Sequence, residues 1–293
     1  MRRRFVTLDV FTAERFAGNP LAVVLDAQGL DTLAMQAMAR EFNLSETVFV
    51  LPVSDRAHRA RVRIFTPGRE LPFAGHPTVG TAVLLARIDG GAEPRDLVLE
   101  EGIGAVPCHV APSGCGGFAR FDLAKLPEEI GSAAASTMIA AALGLDPGDL
   151  GFDGFVPAKW SAGNAFTFVP LRGRAAVARS RPDIGRWDAA FGSSGAFLFC
   201  GETVAAQNAF YARMYAPGAG IYEDPATGSA VAALAGLVAG TLGDGEHALG
   251  IEQGYDMGRP SLIRLALTIR ERKLAAASIG GDAIVVSEGT IEA

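Results

Sequence analysis

Short segments rich in β-branched and aromatic residues recur along the first half of the chain, and this pattern predicts strands. The predicted strands cover residues 5–11, 21–25, 47–51, 61–65, 97–100, 105–110 and 117–123. Leucine, methionine and phenylalanine recur at helical spacing over residues 31–42, which predicts a helix. The second half has the same style, with strands predicted over residues 165–170, 196–200, 209–215, 262–270 and 283–286. We therefore expect an α+β protein.

Two segments depart from this pattern because they are apolar nearly all round. Residues 83–86 follow a Gly/Pro turn at Gly75, His76 and Pro77, and residues 231–238 follow a similar turn at residues 223–230. A helix that is apolar on every side must be buried on every side. The pattern predicts a curled mixed β-sheet or barrel around a central helix, present once in each of two pseudo-symmetric domains.

A sequence repeat supports this duplication. The pattern Pro-x-x-Gly-[Thr/Ser]-Ala-Val occurs once from Pro77 and once from Pro225, and residues 16–24 similarly resemble residues 161–169. The alignment of the two turns is open by about one helical turn, since the pair Gly75-His76 matches Ala226-Thr227 equally well.

The second turn has the features of a helix N-terminus. Asp224 is predicted as the N-cap and Pro225 as the first helical residue. Free backbone N–H groups and the positive end of the helix dipole favour anions at such a position. Two such ends, one per half, predict a ligand that is held between the domains.

The chain length also favours two domains. At 293 residues, with 49% hydrophobic and 20% charged residues, two domains of roughly 130 to 150 residues each can bury a core. The composition changes near Pro127, so we place the first domain at residues 1–125 and the second at 126–279. The last strand, within residues 280–293, is expected to return to the first domain.

Charge and cysteine usage exclude several classes of function. A net charge of −6 argues against a nucleic-acid partner, and no apolar run approaches the ~18 residues that a membrane helix needs. Three cysteines without a CxxC pair indicate neither a disulfide framework nor a zinc site. We expect a cytoplasmic protein that binds neither nucleic acid nor membrane.

Glu46 and His76 are the first candidates for chemistry. Glu46 lies just before an apolar strand, where partial burial would raise its pKa toward neutrality; the alternative is a solvated residue that closes a loop. A helix N-terminus disfavours imidazolium, so His76 is expected to be neutral, although a capping or core histidine fits equally well. No other histidine has a metal-ligand spacing with His76, and we expect no metal.

The remaining candidates are polar residues around the second turn and two arginines. Asp224 serves as a cap, as a group that orients substrate, or as both. Ser229 offers its hydroxyl and N–H to a carboxylate, but no nucleophile elbow surrounds it. Arg63 and Arg213 lie in strand patterns, where structural ion pairs are a better expectation than contacts with an anionic substrate.

Taken together, these motifs resemble the PhzF-like isomerases of phenazine biosynthesis, within the diaminopimelate-epimerase-like superfamily. The resemblance is carried by residues 9–12, 18–23, 44–49, 63–67, 70–80, 223–230, 253–254 and 258–261, in the family's order. It implies proton-transfer isomerisation without a cofactor, and commonly a homodimer.

The resemblance also implies roles for individual residues. Glu46 falls on the family's acid/base carboxylate and His76 on its motif histidine, while Asp224 and Ser229 fall on the polar pair at the second helix start. The substrate would be a small carboxylate, bound at Gly75 in the first turn. In the second turn it would meet Thr227, Gly228 and Ser229.

One departure from the superfamily narrows the chemistry. Its racemases and epimerases use two cysteines ahead of the helix turns, and these places hold Ala74 and Pro225 here. Racemisation by two thiols is therefore disfavoured. The alternatives left open are a binding protein of the same fold that catalyses no reaction and, less favoured, a thiol racemase.

Overall fold

The structure is a computed structural model that describes the backbone of residues 1–293 and every side chain except that of Ala219. The chain packs into two compact units. The first comprises Met1–Asp122 with Gly280–Ala293, and the second comprises Leu123–Ile279. None of the helices among the described residues is long and apolar enough to span a membrane.

The first unit contains eight strands and two helices before the chain passes into the second unit. In chain order these are β1 (Arg2–Val10), β2 (Asn19–Val24), α1 (Thr32–Phe42), β3 (Glu46–Leu51), β4 (Ala60–Phe65), β5 (Glu70–Leu71), α2 (Gly75–Ile88), β6 (Arg95–Glu101), β7 (Gly104–Ser113) and β8 (Gly116–Asp122).

The second unit contains further strands and four helices. They are β9 (Glu128–Ser132), α3 (Ser136–Ala142), β10 (Ala158–Ser161), β11 (Ala165–Pro170), α4 (Arg174–Arg179), α5 (Ile184–Phe191), β12 (Gly195–Cys200), β13 (Phe210–Ala216), β14 (Ile221–Asp224), α6 (Gly228–Ala239), β15 (Gly245–Gln253) and β16 (Ser261–Arg270). The last strand, β17 (Lys273–Glu292), leads back into the first unit.

The sheet of the first unit closes on itself around α2. Strand β1 pairs antiparallel with β2 and β17, β2 runs parallel to β3, and β3 pairs antiparallel with β4. Strand β4 runs parallel to β6, strands β6, β7 and β8 form an antiparallel meander, and β8 pairs with β17. Helix α2 packs against β1, β2, β3, β6, β7 and β8, so it lies inside this ring of strands.

The second unit uses the same plan. Parallel pairs β11–β12 and β13–β15 are combined with antiparallel pairs β9–β10, β10–β11, β12–β13 and β15–β16. Helix α6 packs against β9, β10, β11 and β16.

The two central helices are buried as their sequences predict. Every residue of α2 from Gly75 to Ala86 is buried, and so is most of α6. Gly80 shows how tightly α2 is enclosed: a Cβ there would lie 2.7 Å from methyl groups of both Val10 and Leu21. The prediction of an all-round buried helix in each half is confirmed.

The predicted start of the second helix is wrong by several residues. Asp224 ends strand β14, Thr227 is the N-cap of α6, and the helix begins at Gly228. Pro225 therefore lies before the helix, whereas Pro77 is the third residue of α2. The first residues of the two helices are Gly75 and Gly228. Neither of the two alignments left open by the sequence, Pro77 with Pro225 or Gly75-His76 with Ala226-Thr227, matches these two residues to each other.

The sequence pattern also missed several short elements. Strand β9 and helices α4 and α5 had no predicted counterpart. The predicted strand over residues 283–286 is a fragment of β17, which has 20 residues.

Candidate functional site

Glu46 and His76 meet in the first unit. Glu46 is the first residue of β3, and His76 is the second residue of α2. Their side chains are 13% and 5% exposed, and Nε2 of His76 lies 3.5 Å from Oε2 of Glu46. The structure thus brings together two candidates that are separated by 30 positions in the chain, because β3 lines the helix that carries His76.

Burial determines the charge state of His76. It lowers the pKa of the imidazole to about 3, so the ring is neutral at physiological pH and its contact with Glu46 is not an ion pair. The sequence predicted neutrality from the helix dipole, whereas the structure attributes it to burial. A neutral imidazole suits either protonation state of a neighbouring carboxyl, because one tautomer donates a hydrogen bond to a carboxylate and the other accepts one from a carboxylic acid.

The start of α2 offers backbone donors beside His76. The first backbone hydrogen bond of the helix runs from Thr78 N–H to the carbonyl of Ala74 at 3.2 Å. The N–H groups of Gly75 and His76 precede that bond, and Pro77 has no N–H. The helix itself therefore leaves two N–H groups unsatisfied at its positive end, which is the arrangement that binds an anion.

The second unit builds its turn around Asp224 with side-chain hydrogen bonds. The Thr227 hydroxyl donates to Oδ2 of Asp224 at 2.5 Å. Gln253, which is fully buried at the end of β15, accepts a bond from Thr227 N–H at 3.0 Å and donates to the Asp224 carbonyl at 2.7 Å. Its amide also donates to the Thr227 hydroxyl at 3.0 Å. All three bonds of the Gln253 side chain are thus made to this one turn.

Gly254 completes the support of this turn. It has φ +78°, and a Cβ there would lie 2.6 Å from the Pro225 carbonyl and even closer to the Arg259 carbonyl. Only glycine permits both this backbone conformation and this approach. In the sequence, Gln253 and Gly254 were noted only as part of the family resemblance. The local feature that could have identified Gln253 as a buried support of the turn is its position as a polar residue at the end of a strand.

Helix α6 presents its own first residues in the same way as α2. Its first backbone bonds run from Ala230 and Val231 N–H to the Thr227 carbonyl, both at 3.1 Å. The N–H groups of Gly228 and Ser229 precede these bonds, and Ser229, like His76, is the second residue of its helix. Thr227, Gly228 and Ser229 therefore form one helix start in the second unit, next to Asp224.

The two arginines have structural partners. Arg213, which is 5% exposed, makes two hydrogen bonds to the carboxylate of Glu223, at 2.7 and 2.8 Å. Arg63 pairs with Glu70 through two bonds of 2.6 Å. Structural ion pairs were the preferred interpretation of these arginines, and the structure confirms it. The Arg213 pair fixes the residue that precedes Asp224.

None of the three cysteines belongs to the turn at the start of α2 or of α6. Burial raises the pKa of Cys108, and it raises that of Cys200 to about 11. Both thiols are therefore protonated and poor nucleophiles at neutral pH. Cys115, which is half-buried, lies near Arg15. Within the described residues, no group of His, Cys, Asp and Glu side chains is placed to hold a metal ion.

Comparison with known proteins agrees with this architecture. The family model of phenazine biosynthesis-like proteins matches residues 8–289. An uncharacterized isomerase of Mesorhizobium japonicum is 51% identical over 99% of this chain and 98% of its own length. The trans-2,3-dihydro-3-hydroxyanthranilate isomerase of Pseudomonas aeruginosa is 35% identical, with 98% of each chain covered.

Solved structures show the same fold. The phenazine biosynthesis protein of the PhzF family from Bacillus anthracis aligns with a TM-score of 0.90 and 27% identity over 100% of both chains. A probable proline racemase from Agrobacterium radiobacter aligns with a TM-score of 0.66 over 99% of this chain and 93% of its own. At 12% identity this second likeness shows the fold alone. The predicted α+β, diaminopimelate-epimerase-like fold class is confirmed.

Proposed function

This chain belongs to the phenazine biosynthesis-like (PhzF) family of isomerases, and we propose that it moves a proton within a small carboxylate-bearing substrate without a cofactor. The observation that carries the proposal is the contact between Glu46 and His76. It places a largely buried carboxyl group 3.5 Å from a neutral imidazole at the start of a helix.

Glu46 is proposed as the general base and then the general acid. It takes a proton from a substrate carbon while the electrons of the broken C–H bond move into an enolate-like system, and it returns the proton to a different carbon on the same face. No atom is gained or lost, so the reaction is an isomerisation. The neutral imidazole of His76 is proposed to orient the carboxyl group of Glu46.

The helix starts are proposed to hold the substrate carboxylate and the enolate-like charge. The N–H groups of Gly75 and His76 supply donors in one unit. Gly228 and Ser229 supply donors in the other, together with the hydroxyls of Thr227 and Ser229. Asp224 is proposed to orient a polar substrate group, since Gln253 and Thr227 hold its turn in place. A homodimer remains part of the proposal, and light scattering after gel filtration tests it.

The name of the Pseudomonas relatives supplies the first substrate to test. Trans-2,3-dihydro-3-hydroxyanthranilate carries a carboxylate, an amine and a hydroxyl on one ring, and these groups suit the donors and the carboxylate described above. We propose it, or another small cyclic or linear carboxylate of this type, as the substrate.

The experiment compares Glu46→Gln with Glu41→Gln, which removes an exposed carboxylate on α1. Glu46→Gln should lower kcat at least ~100-fold without loss of the fold, because general acid–base catalysis contributes ~10²–10⁴. Glu41→Gln should match the parent protein. Near-normal turnover by Glu46→Gln would reject Glu46 as the base. Binding of the substrate without any conversion by the parent protein would instead favour a non-catalytic binding protein.

A further inference from the structure

Glu101 is a buried acid that the proposed reaction does not use. It is the last residue of β6 and is 8% exposed. Its Oε1 atom lies 2.7 Å from the hydroxyl of Thr78 in the first turn of α2. Its Oε2 atom is buried and, among the described residues, has no hydrogen-bond partner. A carboxylate in such a place would pay a large desolvation cost.

A count of hydrogens locates the proton. The Thr78 hydroxyl also lies 2.8 Å from the carbonyl of Ala74, which is the N-cap of α2. A carbonyl only accepts, and the hydroxyl has a single hydrogen. If Thr78 donates to Ala74, the hydrogen between Thr78 and Glu101 must come from Glu101. If Glu101 were ionised, the Thr78 hydroxyl would donate its hydrogen bond to Glu101 instead. The hydroxyl oxygen of Thr78 and the carbonyl oxygen of Ala74 would then face each other at 2.8 Å with no hydrogen between them.

The surroundings of Glu101 agree with a neutral acid. Burial raises its pKa to about 8, against the opposing effect of the Thr78 hydrogen bond. A groove at the end of β6 is lined by Glu101 and by the charged and titratable groups Asp55, His58, Arg61, Arg63, Glu70 and Glu100. Cys108 on β7 also lies near Glu101, and α2 carries His76 two residues before Thr78. Arg63 pairs with Glu70 at 2.6 Å, and His58 contacts Glu100 at 3.0 Å, so both of these side chains have carboxylate partners other than Glu101.

We propose that Glu101 is a positioning residue for the helix start that carries Gly75 and His76. As a neutral acid it donates a hydrogen bond to the Thr78 hydroxyl, and this leaves the hydroxyl hydrogen free to bind the Ala74 carbonyl. Ionisation of Glu101 turns the Thr78 hydroxyl away from Ala74 and loosens the first turn of α2. The role of this turn in catalysis rests on the proposed function, but the coupling of Glu101 to the turn does not.

The coupling is testable by NMR without a substrate. In protein labelled with ¹³C at glutamate side chains, the Cδ signal of Glu101 is assigned by its absence in Glu101→Gln. We expect it to titrate near pH 8, and we expect the amide signals of Gly75 and His76 to shift with the same midpoint. Glutamine mimics the neutral acid because its amide also donates to Thr78, so Glu101→Gln should abolish the amide shifts. Glu100→Gln, one residue earlier, should leave them unchanged.

A third variant separates positioning from general destabilisation. In Thr78→Val the Glu101 signal should still titrate, while the Gly75 and His76 amides no longer follow it. A Glu101 midpoint below pH 6, or amides that do not move through the Glu101 transition, would overturn the inference. If the amides do follow Glu101 but the protein isomerises no candidate substrate, the proposed function fails while the positioning role stands.

Discussion

Replacing Gln253 by methionine should cost both stability and turnover. Methionine is similar in volume but removes the partner of the Thr227 N–H and of the Asp224 carbonyl. A buried polar group left unsatisfied costs ~1–3 kcal/mol, so two of them cost roughly 2–6 kcal/mol. Burial of the methionine side chain offsets part of this loss, and we expect a net loss of about 3 kcal/mol. Turnover should fall because the turn that holds Asp224 is no longer fixed.

Urea unfolding followed by tryptophan fluorescence measures this loss directly. Both tryptophans, Trp160 and Trp187, belong to the second unit, which also contains Gln253. Gln253→Glu is an internal test. Its carboxyl group accepts from Thr227 N–H at any pH, but it donates to the Asp224 carbonyl only when protonated. The stability of this variant should therefore rise toward that of the parent as the pH is lowered, whereas the stability of the methionine variant should not show this rise.

Gln36→Met is the matched control. Gln36 is half-buried and also donates two hydrogen bonds, to the carbonyls of Thr66 and Pro67. Water replaces these bonds when the side chain is lost, so the cost measured by circular dichroism should stay below about 1 kcal/mol. A loss below about 1 kcal/mol for Gln253→Met with an unchanged m-value, or unaltered turnover, would show that Gln253 does not hold the turn at Asp224.

Three further predictions concern stability. The pKa of Glu101 in the folded state is about 8 and exceeds its ordinary value of 4.5, so the folded state binds one more proton than the unfolded state between these two pH values. The free energy of unfolding therefore falls as the pH rises through that window. At ~1.36 kcal/mol per pH unit, the fall is at most about 5 kcal/mol. Glu101→Gln should remove this slope in urea melts at pH 5, 6.5 and 8, and an unchanged slope would contradict the assignment. Gly254→Ala should cost more in thermal melts than Gly258→Ala, since both have positive φ but only the first Cβ meets backbone atoms; equal costs would argue against the close approach. Arg213→Met should lose ~3–5 kcal/mol by leaving Glu223 buried without its partner, and a double replacement with Glu223→Met should recover much of it in chemical denaturation, whereas additive losses would exclude coupling.

Much of the fold was predictable because hydrophobic periodicity is a local property. The apolar segments that became α2 and α6 lack a polar face, and burial inside a ring of strands follows from that fact alone. Strand β13 and strand β16 were predicted within one residue of their bounds for a similar reason: β-branched and aromatic residues are concentrated in them.

The start of α6 was not predictable from local pattern. Asp224 followed by Pro225 matches the signature of an N-cap and first helical residue. In the structure, however, the Thr227 N–H binds Gln253, and the hydroxyl of Thr227 binds Asp224. These bonds satisfy the turn without a helix, and the helix begins at Gly228 instead. The decisive partner lies 26 positions further along the chain, where no local rule finds it.

Glu101 was missed for the same reason. In the sequence it is the second of two glutamates at the end of an apolar strand, and nothing distinguishes it from its neighbour Glu100. Only the packing of β6 against α2 makes one of the pair a buried partner of Thr78 and leaves the other to accept bonds from the backbone of Ser54 and Asp55. For Glu46 and His76, in contrast, the family resemblance implied a role in the site, and the structure adds the contact of 3.5 Å between the two side chains.

Proton NMR in D2O shows whether Glu46 carries the proton. The parent protein is incubated with the candidate substrate of the proposed function, beside Glu46→Gln and Glu41→Gln. The parent and Glu41→Gln should convert the substrate and place deuterium at the newly protonated carbon, because the acid form of Glu46 exchanges with solvent. Glu46→Gln should bind the substrate and show neither conversion nor deuterium. Conversion and deuterium incorporation by Glu46→Gln at the parental rate would contradict the account.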